Sequence, residues 1–404
     1  MATTPRLPSI PVREFAERLE QARRLVAAER LDALLVHSNE AEMANVRYFS
    51  DYWPIFEAAG VLIPAKGEPA LLIGPESETF ARDRSRIPAI HKLVEYREPA
   101  EPDYPDIQVA TFKSAFAAQG VANPRRIGIA GCAVLPLPVW EGLRAAFPKA
   151  EIVKADGIMR RLRGVKSAAE VRCLAAAFAI AEDALDAVLA AMRPGVTELE
   201  LVGIAQQVLY AAGAEYEGMP QYVLSGPNTT HAISRPTLRR LRKGEMVQLN
   251  ISARVGGYSS GVGRPVCVGK MSPGQRELVT FGLEAHRWSV EHLQPGRPAA
   301  DLAREYEAWV KSRGYGEYLL YGPYHGLGII EVEPPWIEKT STYDLEPGMC
   351  FQADTFFYTP AGSNLARGRG GRFGLRWEDG VVITPKGNRL LSTRHWEVLE
   401  LTAC

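Results

Sequence analysis

Between Met246 and Arg276 the chain has no aspartate and no glutamate, although it carries 47 acidic residues over its 404 positions. Other absences set the frame for this one. There is no net charge, since 47 Lys+Arg balance the acids, so no overall field recruits nucleic acid or an anionic membrane. There is no apolar run near the roughly 18 residues that span a bilayer, and the opening "MATTPRLPSIPVREF" lacks the apolar core of a signal peptide. Cysteine is scarce: Cys132, Cys173, Cys267, Cys350 and Cys404 are scattered without C-x-x-C spacing. That excludes a disulfide scaffold or a zinc ribbon and implies reduced, mostly buried thiols in a cytoplasm. No internal repeat is present.

What is there suits two soluble domains. In residues 1–160, "EFAERLEQARRLVAAERL" has apolar residues at helical spacing, and "DALLVHS" follows as a buried strand. "AGVLIPAKGEPALLIG" reads as a hairpin and "RRIGIAG" as another strand, so an α/β layer domain is expected. In residues 161–404, Ser167 and Glu170 form a capping box ahead of an apolar stripe: Val171, Leu174, Phe178, Ala181, Leu185, Val188 and Met192. Thr197 and Glu200 open a second helix, Ser272-Pro273 a third, and "PAADLAREYEAWVKSRG" forms a fourth. Strand pairs lie between and after them: "EMVQLNISARVGGYSSGVGRPVCVG", "HGLGIIEVEPP", "GMCFQADTFFYTP" and "FGLRWEDGVVITPKGNRLL". Helices against a mostly antiparallel sheet make this second domain α+β.

Five ordered segments carry a resemblance. "SGPNTTHAISRPTLRRLRKGEMVQLN", "GGYSSGVGRPVCVG", "YHGLGIIEVEPP", "EPGMCFQAD" and "GLRWEDGVVIT" resemble the boxes of the pita-bread family of Xaa-Pro aminopeptidases, prolidases and creatinase. "RLEQARRLVAAERLDALLV" with "NVRYFS" resembles that family's first domain. The resemblance implies an α/β N-terminal domain followed by an α+β pita-bread domain, assembled as a homodimer. Metal-dependent members hold two divalent ions on two aspartates, one histidine and two glutamates, and the ions activate a bridging water. Here the aspartate positions are Asn250 and Gly261, the histidine is His325, and the glutamate positions are Asp354 and Glu378.

A neutral amide and a bare glycine cannot replace charged oxygen ligands around two dications. Asp354 is also shorter than glutamate by roughly 1.5 Å of reach, against a tolerance of about 0.2 Å in metal–ligand distance. No resident cofactor is therefore expected; a single divalent ion on His325, Asp354 and Glu378 is the remaining metal option. Creatinase, which works without metal, has likewise lost the aspartates. The match to creatinase itself breaks at Ile233, where its proton-transferring histidine falls, and at Gly263 and Val332.

The reading that follows is a metal-independent hydrolase of a C–N bond of amide, cyclic amidine or guanidine type in a small polar molecule. His231 or His325 moves the proton, and Asp354 and Glu378 hold a cationic substrate or orient the histidine. Asn250 donates a hydrogen bond, and Tyr258, Trp53, Arg372 and Arg376 bind substrate. The arginines Arg367, Arg369, Arg372 and Arg376 among glycines form an anion-binding lid or a solvated loop. An Arg376–Glu378 pair is the structural alternative for that carboxylate. A mononuclear metal-dependent Xaa-Pro peptidase, a lyase and a non-catalytic ligand-binding protein stay open as alternatives. No nucleic-acid or membrane partner is expected.

Overall fold

The structure, a computed structural model, describes residues 7–367 and 371–402. Arg369 and Cys404 lie outside the described residues. The chain divides into a compact unit of Ile10–Arg163 and a larger one of Met1–Ser9 with Gly164–Cys404.

In the smaller unit the first helix, Val12–Ala28, buries Phe15, Arg18, Ala22 and Val26 on one stripe. Six strands follow: β1 (Ala33–Ser38), β2 (Ala59–Pro64), β3 (Ala70–Ile73), β4 (Ile90–Lys92), β5 (Arg126–Ala130) and β6 (Glu151–Lys154). They form one mixed sheet in the order β4-β3-β2-β1-β5-β6. β1 and β2 are buried along their whole length, which is why they read as continuous apolar runs. β4 and β6 carry no apolar signal because they sit at the two edges and stay partly exposed. The sheet's core joins Leu35, Leu62, Leu72, Tyr96, Phe116 and Ile129.

In the larger unit the helix Ala168–Ala191 starts as its sequence demands. Ser167 accepts from the Glu170 amide while the Glu170 carboxylate accepts from the Ser167 amide. Thr197 before Glu198–Ala211 and Ser272 before Pro273–His292 repeat the device. The sheet is built from β7 (Tyr222–Ser225), β8 (Met246–Ile251), β11 (Val262–Cys267), β12 (Tyr324–Gly326), β13 (Cys350–Tyr358), β14 (Gly374–Thr384), β15 (Gly387–Leu390) and β16 (Leu399–Glu400), and the short β9 (Arg254–Val255) and β10 (Tyr258–Ser259) pair with each other as a separate ribbon. The order is β12-β13-β14-β11-β8-β7, antiparallel along this path, with β15 antiparallel on β14 and β16 parallel beside β11. The acid-free hairpin turns at Gly256 and Gly257, whose φ values of 56° and 91° need glycine. No helix among the described residues is long and apolar enough to cross a membrane.

The segment "HGLGIIEVEPP" is not a strand pair. Only Tyr324–Gly326 is extended; the chain then folds back so that the Glu333 amide donates to Gly326 O at 3.0 Å. Glycine permits this: a Cβ on Gly326 would lie 2.4 Å from Glu333 O, and one on Gly328 2.1 Å from Glu333 Oε1.

His37 on β1 is fully buried, and burial pushes its imidazole pKa down from 6.5 to about 4, against a smaller opposing effect of Val134. The unfolded chain therefore takes up the proton first as pH falls. The contribution is complete above pH 6.5 and is lost between 6.5 and 4, amounting to about 3 kcal/mol. Urea unfolding of this unit from pH 8 to pH 4 is expected to show that loss, and His37→Leu to flatten it.

Candidate functional site

Strand register lines up a single row across the larger sheet. Tyr222 pairs with Asn250, Asn250 with Gly263, Gly263 with Glu378, and Glu378 with Asp354. Residues opposite one another in antiparallel strands project from the same face. Gly263 leaves the middle of the row open: a Cβ there would lie 2.7 Å from the Glu378 Cβ. Through that gap the Asn250 amide reaches across and donates to Glu378 Oε2.

The same face holds a guanidinium. Arg376, two residues before Glu378 and so on its side of β14, donates from Nη1 to Asp354 Oδ2 at 3.1 Å and to Glu378 Oε2 at 3.3 Å. Its Nη2 donates to Ala232 O at 2.7 Å and to the Tyr321 hydroxyl at 3.1 Å. Tyr321 in turn donates to Asp354 Oδ2 at 2.8 Å. The guanidinium also lies 5.5 Å from the Phe356 ring centre and 5.8 Å from that of Tyr222.

Facing this group is a second one made by the folded-back loop. His325 Nε2 lies 3.9 Å from Glu331 Oε1 and 3.9 Å from Glu378 Oε1. The three side chains each bring one donor atom within 4.8 Å of the others, and all three are buried. His325 Nδ1 donates to Gly326 O at 3.0 Å, and Gln352 Nε2 donates to Glu331 Oε1 at 2.8 Å. Among the described residues Glu378 Oε1, Asn250 Oδ1 and Asp354 Oδ1 are buried without a partner.

Burial raises the Glu378 carboxyl pKa well above its ordinary range. The Asp354 and Glu331 charges add to this, while Arg376 and His325 oppose it. Burial raises Glu331 as well, with bonds from Glu378 and Gln352 working against it. Burial also carries the Tyr321 phenol well above 10. The site thus holds three carboxylates against one guanidinium and favours any added positive charge, whether proton, metal or cationic substrate.

Asn250, His325, Asp354, Arg376 and Glu378 come together, and Glu331, Gln352 and Tyr321 join them. Sequence reasoning passed over Glu331 because it lies in no family ligand position; its one signal is a pair of glutamates around Val332 in an otherwise apolar loop. Glu333, the other member, is spent on Lys166, 3.1 Å away and buried. Four expected site residues do other work. Tyr258 gives its hydroxyl to Glu170 at the helix cap. Arg372 is exposed and donates to Thr359 O at 3.1 Å. Trp53 belongs to the smaller unit, where Nε1 donates to Glu40 O at 2.9 Å. His231 is exposed, and among the described residues its imidazole has no bond to the buried group. Its chain neighbour Ala232 supplies the carbonyl on Arg376 instead. The single-ion option also changes composition: Asp354 is tied to Arg376 and Tyr321, and Glu331 stands beside His325 and Glu378 in its place.

Residues 172–385 match the model of metallopeptidase family M24, and residues 18–165 that of the creatinase/prolidase N-terminal domain. The chain is 26% identical to the Xaa-Pro dipeptidase of Pyrococcus furiosus over 384 residues, 95% of this chain and 99% of that one. It is 31% identical to the Xaa-Pro dipeptidase of Lactobacillus helveticus over 250 residues, 61% of this chain and 65% of that one. The crystal structure of a prolidase from Pyrococcus horikoshii superposes with a TM-score of 0.79 at 23% identity, covering 95% of this chain and all of that one. The X-Pro aminopeptidase from Thermotoga maritima gives 0.80 at 20% identity, covering 95% and 99%. These neighbours share the two-domain, pita-bread fold.

The two-ion centre implied by that family does not fit here. Asn250 turns its amide onto Glu378, where a metal aspartate would be, and Gly261 offers no ligand atom. Nor did the loss of the second aspartate leave an open space. A Cβ on Gly261 would lie 2.6 Å from Gln352 Nε2 and 3.0 Å from Glu331 Oε1. Gly261→Asp is therefore expected to overpack this point and to destabilise the larger unit by about 1–3 kcal/mol, read as a lower midpoint in urea. An unchanged midpoint would mean that Gln352 and Glu331 give way to a side chain at position 261.

Proposed function

Since this chain belongs to metallopeptidase family M24, we propose that it hydrolyses the amide C–N bond of a small dipeptide-like substrate of the Xaa-Pro class, by a route that does not use the family's pair of ions. The observation that carries this reading is the buried convergence of His325, Glu331 and Glu378 within 4.8 Å. The names of relatives spanning nearly the whole chain favour the Xaa-Pro class.

In this reading the crowded carboxylates are strong bases for their type, because burial raises both Glu331 and Glu378. One of them takes a proton from the attacking water and passes it to the leaving nitrogen. His325 faces both from 3.9 Å and holds the polar end of the substrate beside them. Arg376 and Asn250 fix the Glu378 carboxylate from its other oxygen. The same proposal places the protein in the cytoplasm as a homodimer.

A second reading has one specific observation in its favour. Three buried carboxylates against a single guanidinium suit a cationic substrate, so hydrolysis of a guanidino or amidine compound without metal remains the competing reaction. A lyase or a binding-only role has no such observation behind it.

Purified protein assayed on a panel of prolyl dipeptides and small guanidino compounds separates the two. Turnover of prolyl dipeptides is expected, with His325→Ala and Glu378→Gln each lowering kcat/KM by about 100-fold or more. Exclusive turnover of guanidino compounds selects the second reading, and full activity in both variants sinks the site.

A further inference from the structure

We propose that His325, Glu331 and Glu378 form a mononuclear site for one divalent first-row metal ion, with Glu331 as a ligand that the two-ion relatives do not use. The inference deepens the reading of this cleft as a hydrolytic site and rests on it, but not on which substrate is cleaved.

The tautomer of His325 is the starting point. Its Nδ1 sits 3.0 Å from the Gly326 carbonyl oxygen, an acceptor only, so Nδ1 carries the hydrogen and Nε2 of the neutral ring presents a lone pair. That lone pair faces Glu331 Oε1 and Glu378 Oε1, each at 3.9 Å. The separation is too long for a hydrogen bond. It is close to the roughly 3.4 Å between two ligands set about 2.1 Å from one tetrahedral ion. Three ligand atoms therefore converge within 4.8 Å, and apart from the neighbouring Glu331 carboxyl no hydrogen-bond partner reaches the buried Glu378 Oε1 among the described residues.

Charge gives the ion its valence. Asp354, Glu331 and Glu378 carry three negative charges when ionised, and Arg376 returns one. One dication cancels the remainder. Ligand type narrows the metal: imidazole with two carboxylates suits zinc, manganese or cobalt and disfavours magnesium or calcium, which take oxygen ligands.

The surroundings orient each ligand from behind, as metal sites require. Gly326 O fixes His325, Gln352 Nε2 holds Glu331 Oε1 at 2.8 Å, and Asn250 and Arg376 both hold Glu378 through Oε2, leaving Oε1 free. Asp354 stands outside the set: the side chains whose ligand atoms lie within 4.8 Å of one another are His325, Glu331 and Glu378, and Arg376 and Tyr321 hold Asp354 apart through its Oδ2.

The test uses the full chain, stripped with chelator and titrated with Co²⁺, Mn²⁺ and Zn²⁺. Calorimetry and elemental analysis are expected to give one ion per chain, and Co²⁺ to give the visible absorption of a site with few ligands. Glu331→Gln is expected to weaken binding by about 100-fold, while Asp354→Asn keeps one ion. Circular dichroism of each variant checks that it is folded, and the wild-type stoichiometry and spectrum stand whether or not a variant folds. Two ions per chain, no binding, or full affinity in folded Glu331→Gln overturns the proposal. Binding is read without substrate, so one bound ion with no turnover leaves this site standing and removes the proposed reaction. Turnover in protein that binds no ion does the reverse.

Discussion

The position of the Arg376 guanidinium governs the rest of the site. Buried carboxylates repel one another and lose hydration, and such charges persist only when paired and hydrogen-bonded. Arg376 meets Asp354 at 3.1 Å and Glu378 at 3.3 Å and uses its second nitrogen on Ala232 O and Tyr321. This divides the carboxylates by function. Asp354 becomes a counter-charge outside the His325 cluster, while Glu378, held through Oε2, brings Oε1 into it. Removing Arg376 would leave both acids uncompensated, at a cost of about 3–5 kcal/mol, so the arrangement cannot relax gradually.

The segment around Arg376 also shows how a strand separates chemistry from support. In β14, Arg376 and Glu378 face the site, and Trp377 and Asp379 face the opposite side. Asp379 accepts from Arg264 at 2.8 and 3.0 Å and meets His286 at 2.9 Å, all of them buried. Burial alone would raise the Asp379 carboxyl, but Arg264 and His286 bring it below its ordinary value. Burial lowers His286 despite Asp379. One face of the strand is thus balanced and closed, and the other is left short of positive charge. The imbalance belongs to the site and not to the strand as a whole.

Much of this was legible in the residues. Capping boxes at Ser167, Thr197 and Ser272 mark helix starts because their bonds are local. β1 and β2 announce themselves by unbroken apolar runs. The row of Asn250, Glu378 and Asp354 follows from segments whose order and spacing resemble a known fold. Glu331 was not legible, because its place depends on a reversal of the chain at Gly326 and Gly328 that periodicity does not encode. Tyr321 and Gln352 were missed for a related reason: each acts through a contact far along the chain, at 33 residues for Tyr321 with Asp354 and 91 for Gln352 with Gly261. His231 and Tyr258 stand apart from the buried group, one exposed and the other bonded to Glu170 at a helix cap, and neither position is readable from the residue type alone.

The acid-free hairpin and Glu331 are coupled physically through Gln352. Gly261 has no side chain, and Gln352 fills that volume, donating to Gly261 O at 3.0 Å and to Glu331 Oε1 at 2.8 Å. Glu331 is thereby held against His325 and Glu378. Gly263 likewise lets Asn250 reach Glu378 across the row. Restoring the aspartate at position 261 alone would collide with Gln352 and set a new carboxylate beside two others. Restoring it at position 250 alone would replace a donor to Glu378 with a like charge. Neither substitution fits singly, so Asn250, Gly261, Gln352 and Glu331 form one mutually dependent arrangement.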